Sequence, residues 1–79
     1  MKLWWYGANG HFGASSKWVW AGSEFQKTYD LVVKEDESVL TVNTGIDGKN
    51  HVFRFKTEKE ARAKAQKIAD HTVDVRSSL

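Results

Sequence analysis

The chain has no cysteine and no proline among its 79 residues. Without thiols no disulfide can staple the fold and no thiolate can hold zinc. A secreted domain of this size would ordinarily carry disulfides, so a cytoplasmic setting is expected. Without proline, every turn has to come from Gly, Asn, Asp or Ser. Charge of one sign is also scarce. Twelve Lys and Arg against ten Asp and Glu leave a formal net charge of +2, a weak long-range field for an anionic partner. Long apolar runs are missing too: Leu3-Trp4-Trp5-Tyr6 stops at Gly7, too short for a signal peptide or a membrane span, so no membrane partner is expected.

What the sequence does hold is aromatic. Four Trp, four Phe and two Tyr can each bury on the order of 150–250 Å² if they are Trp or Phe-sized, which offsets the small core of a single short domain spanning residues 1–79.

The clearest stretch runs from Asn50 to His71. His51, Phe53 and Phe55 alternate with Val52, Arg54 and Lys56, the period-two pattern of a half-buried strand. Thr57 and Glu60 then have the spacing of a capping box, and Ala61, Ala65, Ile68 and Ala69 make one narrow stripe of a helix. Glu58–Arg62 and Glu60–Lys64 are spaced as i, i+4 ion pairs, and Lys67 and His71 favour the helix end.

Two earlier strands share that apolar face. Tyr29, Leu31 and Val33 form one side of the first, and Leu40, Val42 and Thr44 one side of the second. A two-residue hairpin at Asp47-Gly48 sets Val42 opposite Phe53, Leu40 opposite Phe55 and Arg54 beside Thr41. A turn centred on Asp36-Glu37 sets Val33 opposite Leu40 and Leu31 opposite Val42. The helix stripe is the natural cover for this sheet. Thr72 to Val75 offers an edge strand, and Ser77 to Leu79 should fray.

Residues 1–27 form an aromatic N-terminal hairpin or loop joined to a β-β-β-α unit over residues 28–72, with a frayed tail over residues 76–79. Lys2 to Tyr6 reads as a strand. Gly7 to Ser16 reads either as a tight hairpin at Asn9-Gly10 or as a longer loop, and Lys17 to Ala21 alternates as a strand ended by Gly22-Ser23. Trp4 and Trp5 point to opposite faces, so one of them is exposed unless both faces are covered.

No chemistry-bearing motif emerges. Gly7, Gly10 and Gly13 match neither G-x-G-x-x-G nor G-x-x-x-x-G-K-[ST], and His11, His51 and His71 lack metal-ligand spacing. The expectation is therefore a non-enzymatic protein with no catalytic residue, metal, cofactor or small-molecule substrate. It is α+β, an antiparallel β-meander of three strands plus an aromatic N-terminal hairpin packed against one C-terminal α-helix.

At Asp47-Gly48-Lys49 and from Phe53 to Ala61 the sequence resembles the end of the AP2-like, arm-type DNA-binding domain of phage integrases. That resemblance covers the C-terminal half. It implies three antiparallel strands on a helix, with the sheet laid in the DNA major groove by Lys34, Thr41, Asn43, Arg54 and Lys56. The corresponding function is a small phage-type accessory protein binding nucleic acid through its sheet face. The alternative is a protein-binding inhibitor or regulator that uses Trp4, Trp5, Tyr6, His11 and Phe12 in the Trp-rich segment and the Gly7–Gly13 loop.

Overall fold

A computed structural model describes residues 2–45 and 49–77, without the side chains of Trp20 and residues 71–77. The architecture is α+β. Strands β1 (Tyr6–Ala8), β2 (His11–Trp20), β3 (Ser23–Val33), β4 (Ser38–Asn43) and β5 (Asn50–Phe55) form one antiparallel sheet in chain order, followed by helix α1 (Glu58–Ser77). No described helix is long and apolar enough to cross a membrane.

The first two turns are made by residues that tolerate left-handed backbone. Asn9 and Gly10 have φ of 56° and 80°, and Ala21 and Gly22 have 52° and 81°, the signature of two-residue I′ hairpins whose twist matches that of the strands they join. Gly7 to Ser16 is therefore a tight hairpin and not a long loop: Gly13 to Ser16 belong to β2, which runs on unbroken to Trp20. The strand expected over Lys2–Tyr6 shrinks to Tyr6–Ala8. Residues 2–5 instead turn toward the helix, where the Leu3 backbone N–H donates to Gln66 Oε1 at 2.7 Å. The boundary expected near residue 27 falls inside β3, which starts at Ser23.

One face of the sheet carries the core. Tyr29, Leu31, Leu40 and Val42 are buried with Leu3, Ala14 and the helix residues Ala61, Ala65 and Ala69, while Phe53, Phe55 and Ile68 pack against them half-buried. Small side chains at i, i+4 and i+8 allow the helix to lie close on the sheet. Trp5 fills the side toward β1, its ring edge-on to Tyr29 at 6.5 Å. The Arg62 guanidinium sits 5.1 Å from the Trp5 ring and 4.7 Å from Phe12, and is fixed by Glu58 Oε2 at 2.6 Å.

Both later registers differ from expectation by two residues. Leu31 pairs with Leu40 and Tyr29 with Val42, because the turn centres on Glu35-Asp36, where the Lys34 N–H donates to the Glu37 carbonyl at 2.7 Å. Leu40 pairs with Phe53 and Arg54 with Val39, and the ladder ends at Asn43–Asn50. A two-residue loop at Asp47-Gly48 cannot close that ladder. The conformation of Asp47-Gly48 itself lies outside the described residues. Since the shift is even, every side chain keeps its expected face.

The helix starts as read, with Glu60 N–H donating to Thr57 Oγ1 at 3.2 Å, but the return contact is the Thr57 hydroxyl on Glu60 Oε1 at 3.0 Å. This leaves the Glu60–Lys64 pair unformed, and Lys64 Nζ lies 5.2 Å over the Phe53 ring instead. At the other end α1 continues through Ser77, so Thr72 to Val75 is helical and adds no edge strand, and residue 76 is not yet tail. Ser78 and Leu79 lie outside the described residues.

Candidate functional site

The face of the sheet away from the helix is open, and its composition follows from strand alternation. Three cross-strand rows cover it: Ala8, His11, Val32, Val39 and Arg54; then Tyr6, Gly13, Asp30, Thr41 and Val52; then Ser15, Thr28, Asn43 and Asn50. Lys34 and Lys56 continue the face beyond the ends of β3 and β5, and both are exposed.

The residues that the integrase resemblance would place on DNA thus share one face, and two of the five, Arg54 and Asn43, are committed to local contacts. Arg54 Nη1 is 3.0 Å from Glu37 Oε1. Asn43 donates to Asn50 Oδ1 at 3.1 Å and accepts from the Gly45 N–H at 2.8 Å. Lys34 runs directly into the acidic turn Glu35-Asp36-Glu37, of which Glu37 reaches Arg54.

The alternative set splits. Trp5 and Phe12 are half-buried and pack inward around Arg62. Trp4 and Tyr6 face solvent, 75% and 64% exposed, and His11 is exposed on the same sheet face as Tyr6. Of the adjacent tryptophans, Trp4 is the one that meets solvent.

Between these groups the face is indented. Tyr6 pairs with Gly13 and Gly13 with Asp30, so the middle position of that row carries no side chain. The flanking Cα atoms stand two strand spacings apart, roughly 10 Å. The result is a concavity of about 400 Å³, lined among others by Tyr6, Gly7, His11, Gly13, Asp30 and Val32. Composition does not reveal it. Gly13 reads in the sequence as one more turn glycine, and only its position in mid-strand, opposite Asp30, makes it a floor.

Backbone geometry separates Gly13 from the other glycines. A Cβ on Gly10 would stand 2.8 Å from the Val33 carbonyl oxygen at φ +80°, and one on Gly7 would stand 2.1 Å from the His11 carbonyl oxygen at φ +128°. Those positions demand glycine. At Gly13 the nearest atom is the Tyr29 carbonyl oxygen at 3.8 Å, an ordinary contact, and the backbone is ordinary strand. Glycine inside a strand is less stable than alanine by about 0.5–1 kcal/mol. The fold therefore gains nothing from it.

Among the described residues no group of three or more His, Asp or Glu is placed to hold a metal ion. Among the described residues two titratable groups are shifted, and both lie inside, away from this face. Burial lowers the Lys27 ammonium beside the Trp18 ring and raises the Tyr29 phenol, with Asp70 adding to the rise and the Ser16 hydrogen bond opposing it. Comparison with protein-family models, curated proteins and solved structures finds no match to this chain.

Proposed function

We propose that the chain is a non-enzymatic binding module that takes a polypeptide partner on the patch formed by Trp4, Tyr6, His11 and the indentation over Gly13. The observation that carries this reading is the 64% exposure of Tyr6 at the rim of a concave stretch of sheet, with Trp4, 75% exposed, two residues before it in the chain. Large aromatics set beside a pocket supply the contact area and low ordering cost typical of interface anchors. Val52, on the same row of the sheet and 53% exposed, extends the apolar surface toward β5.

Electrostatics points the same way. Nucleic-acid affinity rests on cations placed against phosphates, and at the basic end of this face Arg54 is already paired with Glu37, while Glu35 and Asp36 follow Lys34 in the chain. The nucleic-acid reading through Lys34, Thr41, Asn43, Arg54 and Lys56 is accordingly the second one, supported by the exposure of the two lysines.

Selection of displayed random peptides on the full chain tests the first reading. Selected peptides should lose at least tenfold in affinity to Trp4→Ala and to Tyr6→Ala, with thermal midpoints unchanged because both rings are exposed. Peptides indifferent to both substitutions would remove it. Oligonucleotide titration at low and moderate salt tests the second: tight binding that weakens steeply with salt and is lost in Lys34→Ala and Lys56→Ala would put nucleic acid first.

A further inference from the structure

We infer that the indentation over Gly13 receives a lysine or arginine side chain of the partner polypeptide; this deepens, and rests on, the polypeptide-binding reading. Three features of the notch converge on a long cationic side chain.

The first is the floor. Among the described residues Gly13 is the one lining position where the backbone accepts a side chain and none is present, since its Cβ would meet nothing closer than 3.8 Å. A valine or threonine there would suit the strand better and would close the notch between Tyr6 and Asp30. Openness at this point is a property of the residue and not a demand of the turn that precedes it.

The second is charge. Asp30 is exposed at the wall of the notch, and among the described residues its carboxylate takes part in no ion pair or hydrogen bond. Among the described residues no lysine or arginine lines the notch. The cations on neighbouring strands are held elsewhere, Lys17 by Glu24 at 3.5 Å and Arg54 by Glu37 at 3.0 Å. An incoming ammonium or guanidinium would thus meet an unneutralised carboxylate without displacing a partner.

The third is the remaining wall. Val32 and the exposed Tyr6 ring offer apolar surface along the approach to Asp30. Lysine and arginine bury their methylene stems on such surface while the head reaches a polar group, and a cation passing a tyrosine face gains the attraction of its ring. An acidic or purely aliphatic occupant would leave Asp30 either opposed or desolvated.

The test uses the same peptide selection on the full chain, now read for composition. Peptides that depend on Trp4 and Tyr6 should share a Lys or Arg whose replacement by norleucine, which keeps the stem and removes the charge, weakens binding at least tenfold. Asp30→Asn should weaken them similarly. Gly13→Val should abolish binding while raising the thermal midpoint, and Gly13→Ala should weaken binding with the midpoint raised or unchanged. A loss of binding accompanied by a gain in stability cannot come from misfolding. Selected peptides that depend on Trp4 and Tyr6 but tolerate norleucine, or that bind Gly13→Val undiminished, overturn this inference and leave the polypeptide reading standing. If no selected peptide depends on Trp4 or Tyr6, the reading itself falls and the inference with it. Should the wild-type chain self-associate in sedimentation and Asp30→Asn abolish this, the cation comes from a second copy, and the inference holds with that occupant.

Discussion

Tyr29 is fully buried, and its hydroxyl meets the Ser16 hydroxyl at 2.9 Å inside the core. No described buried side-chain polar atom lacks a partner, so removing either hydroxyl orphans the other. Tyr29→Phe and Ser16→Ala should each cost about 1–3 kcal/mol, the desolvation penalty of one unpaired buried group. For a domain of this size each kcal/mol lowers the thermal midpoint by roughly 4–8 °C. The double variant removes both groups and should cost less than the two singles together by about 0.5–3 kcal/mol. Thermal or urea unfolding followed by Trp fluorescence measures all four corners of the cycle. Additive losses, with no coupling beyond about 0.5 kcal/mol, would refute the claim that the two hydroxyls satisfy each other. Alkaline pH supplies a second check. The folded state holds the Tyr29 proton to higher pH than the unfolded chain, whose tyrosine titrates near 10.0, chiefly because burial disfavours the phenolate. That contribution is fully present below pH 10 and lost as pH rises from there toward the folded-state value. Burial of the Lys27 ammonium acts with opposite sign, so stability gains from that group as pH rises to its unfolded value of 10.5. The difference between wild type and Tyr29→Phe isolates the tyrosine, and it should shrink above pH 10.

Three further substitutions probe the scaffold. Gly10→Ala forces a Cβ to 2.8 Å from the Val33 carbonyl oxygen at a left-handed backbone position, and should destabilise by about 1–2 kcal/mol in a urea titration, in contrast to the stabilising change at Gly13. Ala65→Leu places four heavy atoms' worth of side chain where the helix lies directly on the sheet with no exposure, and should cost about 1–3 kcal/mol by thermal unfolding. Thr57→Ala deletes the acceptor for the Glu60 N–H and should cost about 0.5–2 kcal/mol, with lower helicity by circular dichroism.

Much of the fold was legible because a period of two runs through each of the segments 28–33, 38–43 and 50–55, and a period of 3.6 through 58–70. They assign the faces of β3, β4 and β5 and the helix stripe correctly. Register was less legible. Glu35, Asp36 and Glu37 are all acceptable turn residues, and moving the turn centre by one position slides the strands by two without exposing anything apolar. The N-terminal third was harder still. Gly13, Ala14, Ser15 and Ser16 carry small side chains with no alternation to read, and they become strand through pairing with Asp30, Tyr29, Thr28 and Lys27. The integrase resemblance drew attention to the basic groups of the open face, whereas the indentation depends on a missing side chain, visible only once three strands lie side by side.

The strands β2 and β3 are longer than their neighbours. Residues 23–27 of β3 lie beyond the reach of β4, and β1 accompanies β2 only as far as Gly13, so the tip around Ala21 and Gly22 is a two-stranded finger extending from a five-stranded slab. Amide protons there should exchange with solvent by local fraying, well before the slab opens. The molecule would then loosen from its tip inward, keeping its compact half intact while the finger is already sampling other shapes.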